Sequence, residues 1–166
     1  MSLEITLQAK DLEGLEEYYS KMRDRAQDMS GIREEWGKIC RKHFDRVFRS
    51  SPAVEIGGKV YGDRYWRPLS PFYLSRNPHR RGGQIMIDTK RLWRATITEN
   101  GENTYDFEDD LTFVYEVNVP YAQKQQDMRP FVFWHEELLD ELAESALEFI
   151  TEGEKEDRKN RESKRN

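Results

Sequence analysis

The run Phe113-Val114-Tyr115-Glu116-Val117-Asn118-Val119 decides the fold. Phe113, Tyr115, Val117 and Val119 alternate with Val114, Glu116 and Asn118, the two-residue period of a strand with one apolar face. A lone strand leaves its backbone N–H and C=O groups unpaired, so partners must lie nearby in the chain. Upstream, Asn100-Gly101 is a strong hairpin-turn pair, and Ala95 to Thr98 precede it. Downstream, Phe131 to Trp134 read as a further edge strand. Together these segments predict an antiparallel β-meander. Ile85 to Ile87 form another candidate strand, and Thr89 is placed to cap a short helix through Leu92 and Trp93.

Outward from this centre the period changes to that of helices. Leu138, Leu139, Leu142, Ala146, Phe149 and Ile150 predict a closing amphipathic helix. On the other side, Leu12, Leu15, Tyr19, Met22, Ala26 and Met29 step by three and four after Asp11, a candidate N-cap. The same stepping resumes through Ile32, Trp36, Ile39, Cys40, His43, Phe44, Val47 and Phe48. Ser30 and Gly31 predict a break between the two helices, because glycine lowers helix stability and serine caps. Ahead of them, Leu3, Ile5 and Leu7 alternate as a short N-terminal strand does. Helices at both ends with strands between define an α+β domain.

From Pro52 to Gly83 glycine and proline recur, with Tyr61, Tyr65, Trp66, Phe72 and Tyr73 among them, a pattern of short strands and turns anchored by aromatics. The 166 residues suit one domain, but 36% are charged and the mean hydropathy is -0.97. Part of the chain must therefore lie outside the core. Residues 151–166 carry no apolar anchor and are expected to be a disordered or partner-ordered charged tail behind a domain spanning 1–150. A net charge of -5 argues against a general nucleic-acid or anionic-membrane binder. The single Cys40 permits no internal disulfide, and no apolar stretch approaches a membrane span. The Met-Ser-Leu-Glu start lacks a basic and then apolar leader, so synthesis and folding in the cytoplasm are expected.

Three segments, in this order, resemble the phage virion-morphogenesis family, the tail-completion proteins of contractile-tailed and Mu-like phages. Trp66-Arg67-Pro68-Leu69 is similar to that family's W-x-P-L segment. Ile85 to Ile97, IMIDTKRLWRATI, is similar to its L-x-D-T-G-x-L-x-x-S-I segment. Tyr121-Ala122 with Gln125, followed by Arg129-Pro130-Phe131, resembles its Y-A-x-x-H-Q and R-P-F stretch. The likeness spans Leu3 to Ile150. Lys90 stands where the pattern has glycine, the residue a left-handed turn favours, and Lys124 rather than histidine precedes Gln125. The resemblance implies a non-enzymatic virion component that completes the tail and helps join it to the head. Its partners would be tail tube or terminator and neck or head-completion proteins, with the chain present as a homo-oligomeric ring or in several copies.

Trp66, Arg67, Pro68, Leu69, Tyr121, Gln125, Arg129, Pro130 and Phe131 are therefore the candidate partner-binding residues. For the tryptophan and phenylalanine a plain core role competes with an interface role. Arg129 would pair with an acidic residue of this chain or bridge to a neighbour. Arg76, His79, Arg80 and Arg81 form one basic loop, read either as solvated charge or as an arm for an acidic partner or DNA. No catalytic, cofactor or metal site is expected: Cys40 and His43 have no second ligand pair, and no nucleophile elbow or zinc-protease motif occurs. The rival readings are a DNA-contacting neck protein using the Arg76 to Arg81 loop, and an assembly-associated hydrolase.

Overall fold

The computed structural model of the chain describes residues 9–99 and 102–152. Helices α1 (Ala9–Gln27), α2 (Arg33–Arg49), α3 (Pro71–Arg76), α4 (Arg91–Ile97), α5 (Ala122–Met128) and α6 (Glu136–Glu152) accompany two antiparallel strand pairs. Strand β1 (Gly58–Lys59) pairs with β2 (Tyr65–Trp66), and β3 (Asn103–Phe107) pairs with β4 (Phe113–Val117). The molecule is α+β.

Helix α2 organises the interior because its apolar positions cover two sides of one rod. Ile39, Cys40 and Phe44 pack on Leu138 and Leu142 of α6. One turn further on, Val47 and Phe48 enter a second cluster with Trp66, Ile85, Leu92, Phe131 and Phe133. The break before α2 is present as a 3-10 turn over Ser30–Ile32. Asp28 accepts the Ser30 N–H at 2.9 Å, and the Met29 N–H donates to the Asp110 carbonyl at 2.8 Å, so the β3–β4 tip pins this corner. Tyr105 of β3 crosses α2 so closely that a Cβ at Gly37 would overlap its ring. Its hydroxyl donates to Glu34 at 3.0 Å.

Several expectations are corrected. Among the described residues only the β3–β4 pair of the expected meander forms: Ala95 to Ile97 continue α4, Thr98 ends it, and the Asn103 side-chain amide donates to the carbonyls of Ala95 (2.6 Å) and Thr98 (3.0 Å), closing the helix end. Phe131 to Trp134 do not pair as a strand. The Gln126 side chain takes their backbone bonds instead, accepting from Phe131 N–H (3.0 Å) and Val132 N–H (3.1 Å) and donating to the Val132 carbonyl. Around Ile85 only an isolated bridge forms, Ala53 to Gln84, and a positive φ at Met86 ends the extension. Within Pro52 to Gly83 a helix appears, α3, capped by the Ser70 hydroxyl, which accepts the Tyr73 N–H, with Pro71 in its first turn. Helix α1 already runs through Asp11, so that residue is no N-cap, and Tyr19 is exposed rather than buried. The N-terminal strand over Leu3 to Leu7, the Asn100-Gly101 turn and the tail beyond Glu152 lie outside the described residues.

Candidate functional site

Helix α5 places Tyr121, Lys124, Gln125 and Met128 at i, i+3, i+4 and i+7, one stripe of a helical surface. Opposite this stripe, β2 and the chain leaving it present Tyr65, Arg67, Pro68 and Leu69. Between the two lies an open groove of about 1230 Å3, floored by Ile85 and Leu92 and flanked by Tyr73, Asp88 and Arg91. Two ties hold the walls together across more than sixty positions of sequence. The Trp66 indole N–H donates to the Pro130 carbonyl at 2.9 Å. Arg129 donates from Nε to the Arg67 carbonyl at 3.1 Å and from its terminal nitrogen to the Pro68 carbonyl at 3.4 Å.

The two segments expected to bind a partner thus meet, with their members divided by burial. Arg67, Pro68, Leu69, Tyr121, Gln125 and Arg129 line the groove. Trp66 and Phe131 do not reach a surface: both are fully enclosed beside Phe48, so they support the walls from behind. Pro130 is half-buried and contributes its carbonyl to the indole. Neither reading of Arg129 anticipated its partners, which are backbone carbonyls rather than a carboxylate. Burial lowers its guanidinium pKa from the ordinary value.

The basic loop is split rather than continuous. Arg80 is buried and ion-paired to Asp88 at 3.1 Å, with a second bond to the Gln84 carbonyl, so it is a structural residue of the groove wall. Arg76 lies over the Phe72 ring at 4.3 Å, while His79 and Arg81 are exposed and lie off the groove. The sequence reading missed Tyr65, Tyr73, Arg91, Lys124 and Met128. The helical spacing from Tyr121 to Met128 was the available signal.

The groove is electrostatically one-sided. Arg67, Arg80, Arg91, Lys124 and Arg129 line it against Asp88 and Asp127. Arg80 is matched by Asp88, and Arg91 by Glu102 at 2.9 Å. Arg67, Lys124 and Arg129 remain without a carboxylate among the described residues. At the start of α4, Lys90 adopts φ +58, the left-handed conformation, and so turns the chain into the helix that carries Arg91.

A second polar cluster joins α2 to α6. His43 is fully buried, with Nε2 2.7 Å from Glu141 Oε2 and Nδ1 3.0 Å from the Tyr61 hydroxyl, which also receives an N–H of Arg46 at 3.0 Å. Bonds from Lys42 and His43 hold the Glu141 carboxyl below its ordinary pKa. Next to His43, at 5.1 Å between rings, burial holds His135 below the usual imidazole value. Cys40 is enclosed, and burial pushes its thiol up to about 12, the opposite of a nucleophile's requirement. No group of three or more His, Cys, Asp or Glu among the described residues could hold a metal ion. No family model, curated protein or solved structure matches this chain.

Proposed function

We propose that this chain is a structural, non-enzymatic component of a tailed-phage virion that completes the tail and helps join it to the head by docking to other virion proteins. The observation that carries this reading is the groove. Two segments read as one family pattern, remote in sequence, are tied wall to wall through Trp66, Pro130 and Arg129. A rigid, open surface with exposed Tyr65, Tyr73, Tyr121 and Met128 at its rim has the aromatic and apolar content of a protein interface. The left-handed backbone at Lys90, where the resembled pattern has glycine, is a second support.

Mass spectrometry of purified particles from a phage or induced prophage encoding this chain tests the proposal, beside electron microscopy of lysates lacking it. The expected result is the chain in tailed particles, and unjoined heads and tails without it. Infective particles of normal shape formed without the chain would sink the reading. The excess of cations beside tyrosines also suits nucleic-acid phosphate and bases, so a DNA-contacting neck protein is the second reading. Groove-dependent retention of an oligonucleotide distinguishes it.

A further inference from the structure

An acidic cluster sits at the tip of the β3–β4 hairpin, whose base is tied to the groove only through the Arg91–Glu102 ion pair. Asp106, Glu108, Asp109 and Asp110 surround the β3–β4 turn, and Leu111 beside them is 62% exposed. This tip is fixed in shape. The Asp109 carboxylate accepts the backbone N–H groups of Leu111 (2.9 Å) and Thr112 (2.6 Å) and the Thr112 hydroxyl (2.9 Å). The Asp110 carbonyl is anchored to Met29. The side chains of Glu108 and Asp110 point to no cation among the described residues. An exposed leucine flanked by acids on a rigid turn is a preformed ligand, because little conformational freedom remains to be lost on binding.

The groove has the complementary character: apolar floor, tyrosine rim, and Arg67, Lys124 and Arg129 lacking carboxylates. Within one molecule the two cannot meet. Arg91 of the groove is paired to Glu102, at the base of β3, whereas the tip follows Phe107 and precedes Phe113 at the other end of the ladder. Five paired residues separate them by about 17 Å of strand. A surface and its complement at opposite ends of one chain generate a head-to-tail contact between copies, which closes into a ring or propagates.

We infer that the groove receives the β3–β4 hairpin tip of a second copy of this chain, Leu111 seated among the rim tyrosines and Glu108 and Asp110 facing Arg67 and Lys124. The inference rests on the docking reading for its biological meaning, though its test does not. All four charged side chains are exposed, so reversing them leaves the core intact. The experiment is sedimentation velocity over a concentration series for the wild type, for Arg67→Glu with Lys124→Glu, and for Glu108→Lys with Asp110→Lys, each checked for an unchanged melting curve. The wild type should self-associate, and more weakly as salt rises. Each reversed protein should lose association by about tenfold or more, as expected for reversed interface charges. An equimolar mixture of the two should associate again, since each tip then meets a groove of opposite charge.

A wild type that stays monomeric up to about 1 mM overturns the inference, as does a mixture without rescue. So does a monomer whose groove holds a fluorescent oligonucleotide through Arg67 and Lys124. A monomeric protein still found in tailed particles would refute the self-docking and leave the virion reading. Self-association of a protein absent from particles would do the reverse.

Discussion

Replacing Trp66 by phenylalanine probes the joint between the two groove walls. The indole is fully buried against Phe48, and its N–H is bonded to the Pro130 carbonyl. Phenylalanine keeps most of the apolar contact and removes the donor. Removing the donor and leaving the carbonyl short of its partner costs roughly 2 kcal/mol in all. The space left by the missing part of the indole adds about 1 kcal/mol, since a lost methylene alone is worth ~0.8 kcal/mol. A loss of about 3 kcal/mol is expected, against about 3–5 kcal/mol for Trp66→Ala, where packing goes as well. Urea unfolding followed by far-UV circular dichroism measures both, with the slope checking that the unfolded state is unchanged. A Trp66→Phe protein within about 0.5 kcal/mol of the wild type, the scatter of surface substitutions, would refute the claim that this bond closes the groove.

Gly37→Ala should destabilise by about 1–2 kcal/mol, because overlap with the Tyr105 ring outweighs the helix-propensity gain of up to ~1 kcal/mol; a stabilised variant in the same unfolding assay would mean the ring moves freely. Lys90→Gly should be neutral or stabilising by up to about 1 kcal/mol, since the left-handed backbone costs an L-residue roughly 1–2 kcal/mol and glycine loses part of that in entropy; a higher melting temperature for the wild type would count against it. Arg129→Ala should cost about 1–2 kcal/mol through two carbonyl bonds lost from a half-exposed cation, and a fully stable variant would remove the second tie from the argument. His135 binds protons more weakly folded than unfolded, so its stabilisation is complete above the ordinary imidazole value of 6.5 and is lost as pH falls through and below it. Glu137 and Glu141, also held low, add a second loss as pH falls through and below 4.5. Urea midpoints should therefore drop from pH 8 to 5.5 in the wild type but change less in His135→Asn; equal midpoints across that range in the wild type would exclude the linkage.

The helices were legible where apolar residues recur at helical spacing and are buried. The stripe from Ile39 to Phe48 names the core of α2, and the run from Leu138 to Leu142 names its partner. The β3–β4 ladder was half legible: its second strand alternates cleanly, while its first, Asn103 to Phe107, is mostly polar and carries no such period. Failures arose where side chains replaced backbone pairing. Gln126 holds Phe131 and Val132 as a strand would, and Asn103 closes α4, yet neither duty leaves a mark on hydropathy. The groove was legible as two segments but not as one surface, because the ties of Trp66 and Arg129 run to carbonyls, which every residue possesses.

The chain of contacts through His43 has a direction. Arg46 has only donors, so the Tyr61 oxygen must accept from it, and the Tyr61 proton can turn toward His43 Nδ1 or toward Glu137. Turned toward the histidine, it meets a bare Nδ1 and puts the ring hydrogen on Nε2, aimed at Glu141. A permanent cation at one end thereby bears on the tautomer of an imidazole two bonds away, and the nitrogen spectrum of that ring becomes a reporter of whether α2 and α6 are still in register.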